Sequence, residues 1–184
     1  MAKQGPTGEV IAVCSASEHQ FSKRSADKIE IRAGYGVEGD AHAGERVQHL
    51  SRVRVDPDQP NLRQVHLIQG ELFEELLDKG FAIDPCDLGE NITTRGIDLL
   101  SLGRDTLLRI GDDAVLSVTG LRNPCHQIDT FAAGLLKEVA VKTEGRVVRK
   151  AGIMTVALKS GVVRPGDIIR VESPDGPFIP LDRV

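Results

Sequence analysis

The residue whose neighbours best suit it for chemistry is Cys125, in the sequence Arg122-Asn123-Pro124-Cys125. Asn123 is a good N-cap residue and Pro124 suits the first helical position, so this sequence predicts a helix that begins here. Cys125 would lie in the first turn, close to the positive end of the helix dipole and to Arg122, and both favour the thiolate. A thiolate attacks electrophiles or binds soft metals. The alternative is a small residue packed beneath the turn, and these residues alone leave both interpretations open.

The other two cysteines, Cys14 and Cys86, have surroundings typical of a structural role. Cys14 lies in an apolar segment, where burial raises the pKa of a thiol and makes it unreactive. Cys86 follows Pro85 in an expected loop and has no basic neighbour. An odd number of cysteines argues against a disulfide scaffold and favours a reducing compartment, so we expect a cytoplasmic location. The chain contains no Cys-x-x-Cys sequence, so zinc ribbons and iron–sulfur clusters have no support.

Histidines and one glycine-rich segment make weaker cases for a site. His42 and His49 share a polar stretch, but no histidine spacing matches a zinc pattern. Residues 36–44 are rich in glycine, yet they lack the Lys-Ser/Thr ending of a phosphate-binding loop. A tight loop in which Asp40 caps nearby N–H groups is the simpler interpretation.

Basic residues cluster in two places, although the net charge of the chain is -4. The first group is Arg46, Arg52, Arg54 and Arg63, and the second is Arg146, Arg149 and Lys150. A solvated surface is the usual explanation of such groups, and an anionic small ligand is the functional one, because Arg and Lys bind phosphate through charge-assisted hydrogen bonds. Arg63 is the leading candidate, since it starts a predicted strand that could aim its guanidinium at a pocket.

Short apolar segments punctuated by glycine and proline predict the strands that position these residues. Residues 28–32 alternate strictly between apolar and polar, and a Gly-Asp-Asp turn between residues 106–110 and 114–119 predicts a hairpin. Further strands are expected at residues 9–15, 63–69, 152–158 and 167–171.

Two segments predict helices and one predicts a long loop. Residues 71–79 place Leu72, Phe73, Leu76 and Leu77 on one stripe, and residues 124–142 have helical spacing with a break at Gly134. Residues 34–62 are polar and irregular, and a loop of that length is usually functional or disordered. Because strands outnumber helices and do not alternate regularly with them, we expect a mainly β (α+β) fold, a closed β-barrel decorated by helices.

Composition excludes several classes of protein. The longest apolar run, residues 10–14, is far shorter than a membrane span, and the first six residues lack the apolar centre of a signal peptide. Mild acidity gives no electrostatic argument for nucleic acid. With no Trp, one Tyr and five Phe, a stacking surface for bases is also not expected.

Several short motifs, taken in their order along the chain, resemble the MOSC domain, which occurs at the C-terminus of eukaryotic molybdenum cofactor sulfurases and as stand-alone bacterial proteins. The motifs are Gly39-Asp40-Ala41-His42-Ala43-Gly44, Arg63-Gln64-Val65-His66-Leu67, Leu88-Gly89-Glu90-Asn91-Ile92, Arg122-Asn123-Pro124-Cys125, Ala151-Gly152-Ile153 and residues 161–167. The resemblance covers about residues 26–172, so the 184 residues are expected to form a single domain. The motifs Gly89-Glu90-Asn91 and Arg122-Asn123-Pro124-Cys125 are specific for this family only when both occur, at this distance from each other along the chain.

The resemblance implies a barrel of the pyruvate-kinase-barrel type that binds the molybdenum cofactor, molybdopterin. It also implies that Cys125 is either the protein ligand of molybdenum or a sulfur carrier, and a soft thiolate suits both roles. We expect Gly89-Glu90-Asn91 to shape the pocket rather than to carry protons. The expected cofactor-binding residues are Asp40, His42, Arg63, Gly89, Glu90, Asn91, Arg122 and Asn123.

Two functions of different classes follow from the resemblance. In the first, a molybdenum-dependent oxidoreductase reduces N-hydroxylated or N-oxide small molecules and needs an electron donor. In the second, a carrier delivers the cofactor, or persulfide sulfur on Cys125, to apo-molybdoenzymes. The sequence contains no pyridoxal-phosphate desulfurase portion, so a separate cysteine desulfurase would supply that sulfur. A cysteine-nucleophile hydrolase is a third alternative, and it would need a base that the sequence does not identify.

Overall fold

The computed structural model describes residues 4–184, and short strands make up most of its regular structure. The strands are β1 (Gln4–Ser15), β2 (Arg24–Ala26), β3 (Ile29–Arg32), β4 (Gly36–Val37), β5 (Val65–Gln69), β6 (Ile92–Arg95), β7 (Leu107–Ile110), β8 (Ala114–Leu121), β9 (Ala140–Thr143), β10 (Arg146–Arg149), β11 (Ile153–Lys159), β12 (Gly161–Val163) and β13 (Ile168–Glu172). The helices are α1 (Leu50–Val53), α2 (Glu71–Asp78), α3 (Gln127–Phe131) and α4 (Leu135–Val139). Residues 1–3, which belong to the segment judged not to be a signal peptide, lie outside the described residues.

Seven strands close into a ring, which confirms the expected mainly β fold and β-barrel. Their order is β13-β7-β8-β11-β5-β6-β1, and β1 pairs with β13 to complete the circle. Strands β5 and β6 run parallel, and the other neighbours in the ring are antiparallel. Strand β1 lies before residue 26, so the barrel includes residues outside the range of the motifs.

Apolar side chains fill two regions, one inside the barrel and one between the barrel and the helices. Successive residues of a strand point to opposite faces, so in β5 Leu67 joins the interior cluster and Ile68 joins the outer one. Helix α2 covers the outer cluster with Leu72, Phe73 and Leu76. Leu77, expected on the same stripe, is exposed.

The helical segment after β8 starts later and ends earlier than the sequence predicts. Helix α3 begins at Gln127 instead of Pro124, and α4 ends at Val139 instead of near residue 142. The expected break at Gly134 is present, with φ at 88°. The chain leaves the helix after Val139 because residues 140–143 pair with β10 across a turn in which Glu144 and Gly145 both have positive φ, the geometry of tight hairpin turns.

A disulfide between Cys14 and Cys86 overturns the expectation drawn from the odd number of cysteines. The two Cα atoms are 5.7 Å apart, a separation that a disulfide can span. Both residues are buried, so the loop position of Cys86 does not expose it. An odd number only requires one cysteine to stay unpaired, and among the described residues that one is Cys125. Cysteine content is therefore no argument for a reducing compartment.

Among the helices of residues 4–184, none combines the length and apolar character needed to cross a membrane.

Candidate functional site

A cavity of about 320 Å³ opens beside the segment that follows β8, and Cys125 lies in its wall. The wall is built by loops and strand ends that are distant in sequence. Lys23 precedes β2, Arg63 precedes β5, and Gly89 and Asn91 precede β6. The cavity therefore depends on the closed barrel to bring these segments together.

The wall of the cavity is cationic, although the protein carries a net negative charge. Its ionisable side chains, Cys125 aside, are Lys23, Arg52, Arg63, Arg122, His42, His49 and His66. Within residues 4–184, no Asp or Glu lines the cavity. Such a wall attracts an anionic ligand and has no carboxylate to repel it.

Arg63, the leading candidate for anion binding, faces the cavity from the start of β5. The side chain of Asn61 holds the backbone at Arg63 in place, because Asn61 Oδ1 accepts a hydrogen bond from the backbone N–H of Arg63 at 3.0 Å. Burial, together with the nearby charges of Arg52 and Arg122, lowers the pKa of Arg63 to about 10, which still leaves a guanidinium cation at neutral pH. Its Nε is buried and has no hydrogen-bond partner among the described residues. A buried donor without a partner is costly, so this atom favours an acceptor in the cavity.

Cys125 and Arg122 lie together on the segment between β8 and α3. Arg122 is fixed by two bonds, from its N–H to Gly152 O at 3.0 Å and from Nη1 to Leu88 O at 2.5 Å. The thiol of Cys125 donates to Gln127 Oε1 at 3.4 Å. Burial lowers the pKa of Arg122, and the charge that Cys125 can carry acts in the opposite direction. The two groups are therefore close enough to interact electrostatically.

The expected position of Cys125 in the first turn of a helix is wrong. Helix α3 begins two residues later and contains five residues, so Asn123 is not its N-cap and Pro124 is not its first residue. Because the Ile128 N–H donates to Cys125 O at 3.0 Å, the thiol lies on a turn just before the helix. The argument from a helix dipole therefore does not apply to Cys125, and the positive charges near it are those of Arg122 and Arg63.

Asn91, in the wall of the cavity, is hydrogen-bonded to the two strands that flank β6. Its Oδ1 accepts from the His66 N–H of β5 at 3.1 Å, and its Nδ2 donates to Cys14 O of β1 at 3.2 Å. Gly89 nearby has φ at 81°, and a Cβ at this position would lie 2.4 Å from Phe21 O. The Gly-x-Asn spacing thus allows the loop to pass close to the chain at Phe21 and still reach both strands.

Two expected contact residues, Asp40 and Glu90, lie behind the wall and do not line the cavity. Asp40 pairs with Lys23, whose Nζ is 2.6 Å from Asp40 Oδ2. Glu90 Oε1 accepts from the Cys86 N–H at 2.8 Å and from Thr93 Oγ1 at 2.9 Å. Burial raises the pKa of Glu90. Both carboxyl groups are therefore used to hold the loops that do line the cavity.

The structure places all of the other expected site residues in the wall of the cavity. Those that line it are Cys125, His42, Arg63, Gly89, Asn91, Arg122 and Asn123. Lys23 and His49 also line it and were not expected from the sequence, since neither lies in a motif. Arg52 was judged a weaker candidate than Arg63 and lines it too.

His49 reaches the cavity from the long polar loop. Burial, followed by the charges of Arg63, His42 and Arg52, lowers the pKa of His49 to about 4. The imidazole is therefore neutral at pH 7. Within residues 4–184, no group of three or more His, Cys, Asp or Glu side chains is arranged to hold a metal ion. A metal at this site would depend on Cys125 and on ligands that the protein does not supply.

The sequence assigns the protein to a known family, and the closed barrel agrees with the assignment. The sequence model of the MOSC domain matches residues 57–170, more than half of the chain, and the chain belongs to this family. The family is associated with binding of the molybdenum cofactor. No curated protein matches the sequence.

Solved structures with the same fold include bacterial proteins of two kinds. YuaD from Bacillus subtilis is 26% identical, with a TM-score of 0.77 over 95% of this chain and 100% of that one. YiiM from Escherichia coli is 16% identical, with a TM-score of 0.60 over 93% of this chain and 73% of that one. YiiM from Geobacillus stearothermophilus is 14% identical, with a TM-score of 0.58 over 95% and 77% of the two chains. The likeness to the two YiiM proteins shows the fold alone.

Proposed function

We propose that the cavity binds the molybdenum cofactor, with Cys125 as the protein ligand of molybdenum, in an oxidoreductase that reduces N-hydroxylated or N-oxide small molecules. One observation carries the proposal: a free thiol and three arginines without a described ion pair, Arg52, Arg63 and Arg122, share a cavity that no described carboxylate lines. Molybdopterin is anionic through its phosphate, and a soft thiolate is a suitable ligand for molybdenum.

The residues of the cavity fit such a group. The partnerless Arg63 Nε and the guanidinium of Arg122 would hold the phosphate. The carboxamides of Gln20 and Asn123 provide donors and acceptors for the edges of a pterin ring. When bound, the cofactor would supply two-electron redox chemistry at its metal. The electrons would come from a separate donor, and we propose that the protein acts in the cytoplasm.

The content of molybdenum and pterin in the purified protein tests this proposal. The protein is produced in a host that makes the cofactor and is supplied with molybdate, and metal and pterin are then measured per chain. We expect both in the wild type, loss of molybdenum in Cys125→Ala, and loss of both in Arg63→Glu. Thr130→Ala is the control, because Thr130 lies on α3 and does not line the cavity. Wild-type protein without pterin and without molybdenum would contradict the proposal.

A sulfur-carrier function is the second candidate, and the cysteine pairing favours it. Cys14 and Cys86 are bonded to each other, so Cys125 is the only described cysteine able to accept sulfur as a persulfide. A cysteine desulfurase would be the donor and an apo-molybdoenzyme the acceptor. Protein that lacks molybdenum and shows the mass of one added sulfur atom on the Cys125 peptide would support the carrier over the enzyme.

A further inference from the structure

Residues 45–61 form a strap over the cavity and contribute Gln48, His49, Ser51, Arg52 and Asn61 to its wall. The first four of these residues lie before residue 57, where the match to the MOSC domain begins. Their role in the cavity is therefore not carried by the family match and has to be argued from the strap itself.

The two ends of the strap are fastened to each other and to the loop that follows β4. Near the ends, the Val47 N–H donates to Gln59 O at 2.9 Å, and Arg46 forms an ion pair with Asp58. Asn61 is buried, and its Nδ2 donates to His42 O at 2.9 Å and to Gly44 O at 3.0 Å. A loop with joined ends behaves as one unit that can tilt toward or away from the surface beneath it.

The middle of the strap buries little apolar surface. Helix α1, at its centre, contains no buried residue, Leu50 and Val55 are exposed, and Val53 is half-buried. Burial of apolar surface is what normally holds a loop against a barrel, and a segment with little of it opens at low free-energy cost. The polar side chains of Gln48, Ser51 and Arg52 in this part line the cavity.

Electrostatic repulsion acts between the strap and the barrel across the cavity. Arg52 of the strap and Arg63 line the same cavity, and the charge of Arg52 contributes, after burial, to the lowered pKa of Arg63. None of the ion pairs among residues 4–184 involves Arg52, Arg63 or Arg122. Two like charges that face each other without a carboxylate between them are stabilised by an anion that both can bind.

We infer that Arg52 and Arg63 together bind one tetrahedral oxyanion group of the ligand, and that this anion holds the strap closed over the cavity. The inference rests on the proposed function in that it concerns the same cavity and an anionic ligand. It adds that part of the anion site comes from the strap. The strap then selects for ligands whose phosphate can lie between these two side chains.

Binding of inorganic phosphate, at constant ionic strength, tests the inference directly. We expect Arg52→Gln and Arg63→Gln each to weaken phosphate binding by about tenfold, the value of one charge-assisted hydrogen bond. Arg54→Gln is the matched control: Arg54 is on the same strap with the same charge, but it is exposed and does not line the cavity. The affinity of Arg54→Gln for phosphate should stay within about twofold of that of the wild type.

Trypsin provides a second measurement that reports on the strap itself. The bond after Arg54 is exposed, and phosphate should slow its cleavage in the wild type and in Arg63→Lys but not in Arg52→Gln. Equal phosphate affinity in Arg52→Gln and Arg54→Gln, or cleavage that phosphate does not slow in the wild type, would overturn the inference. Loss of phosphate binding in Arg63→Gln but not in Arg52→Gln would also overturn the inference. It would leave the proposed function intact, because that function is tested separately by molybdenum and pterin content.

Discussion

Lys23 Nζ lies 2.6 Å from Asp40 Oδ2, and both side chains are almost completely buried, Lys23 in the wall of the cavity and Asp40 behind it. The same carboxylate accepts hydrogen bonds from the N–H groups of Ala16 and His42 and from Asn91 Nδ2. Burial disfavours the charged carboxylate, but the bond with His42 and the charge of Lys23 outweigh it and hold the pKa of Asp40 well below its usual range. The ion pair thus joins three loops behind the cavity.

Removing one charge of this pair should destabilise the protein strongly. We expect Asp40→Asn to lower the free energy of unfolding by about 3–5 kcal/mol, because it leaves the buried ammonium of Lys23 without its counter-ion. Urea denaturation measures the change. The exposed pair of Arg32 and Glu38 is the control, and Glu38→Gln should cost less than about 1 kcal/mol. Similar effects of the two substitutions would contradict this assignment.

The disulfide predicts both the number of reactive thiols and a loss of stability on reduction. Alkylation of the folded protein should label Cys125 alone, and labelling after denaturation and reduction should find all three cysteines. The bond closes a loop with a sequence separation of 72 residues. Chain-entropy arguments then give a stabilisation of up to about 4 kcal/mol, to be measured as the difference in unfolding with and without dithiothreitol. Labelling of Cys14 in the folded, unreduced protein would show that the bond is absent.

Because His66 is buried, we expect the protein to lose stability in mild acid. Its imidazole is buried, Nε2 donates to Ala151 O at 2.7 Å, and burial lowers the pKa of His66 well below 6.5. The unfolded state therefore binds a proton below about pH 6.5 that the folded state does not bind. The free energy of unfolding should be constant above that pH and fall below it by up to about 1.4 kcal/mol per pH unit from this residue.

Denaturation curves between pH 8 and pH 5 measure the slope for His66. The variant His66→Gln removes the titrating group, so its curve should be flatter over this range. An unchanged slope in the variant would assign the acid sensitivity to other groups, such as His49.

Glu90 is expected to act through structure and not through proton transfer. Its carboxyl group is fully buried away from the cavity, and its Oε1 holds the Cys86 N–H and Thr93. Both hydrogen bonds end on Oε1 and Oε2 has no partner among the described residues, so the carbonyl oxygen of a carboxamide can accept the same two bonds. Glu90→Gln should change the stability by less than about 1.5 kcal/mol and leave cofactor retention unchanged. A folded variant that keeps cofactor but loses turnover by orders of magnitude would make Glu90 a proton carrier.

Local sequence patterns predicted the elements whose structure is determined locally. The alternation of Ile29 and Ile31 predicts a strand, and the apolar face of residues 71–78 predicts a helix, since both patterns lie within the element itself. The turn at residues 111–113 gave the β7–β8 hairpin for the same reason. The motifs located Arg63, Asn91 and Cys125, which the barrel brings to one cavity.

Features that depend on distant parts of the chain were not predictable in this way. The start of α3 follows from the path of the segment between β8 and the helical layer, and not from the preference of Asn123 and Pro124 for helix starts. Lys23 is basic, but only its pairing with Asp40, made by loops that meet behind the cavity, explains its burial. The bond between Cys14 and Cys86 likewise joins segments that a count of cysteines cannot place together.

The position of β1 in the ring has a consequence for synthesis of the protein. Gly8 in β1 pairs with Ile169 in β13, so the ring cannot close until β13 has been synthesised. At about 5–20 residues per second, the first strand waits roughly 10–30 s for its last partner. During that time the apolar residues of β1, including Val10 and Val13, have no closed barrel to enter, and they are natural targets for chaperones. Under the proposed function, the cofactor could therefore be held only after β13 has been synthesised.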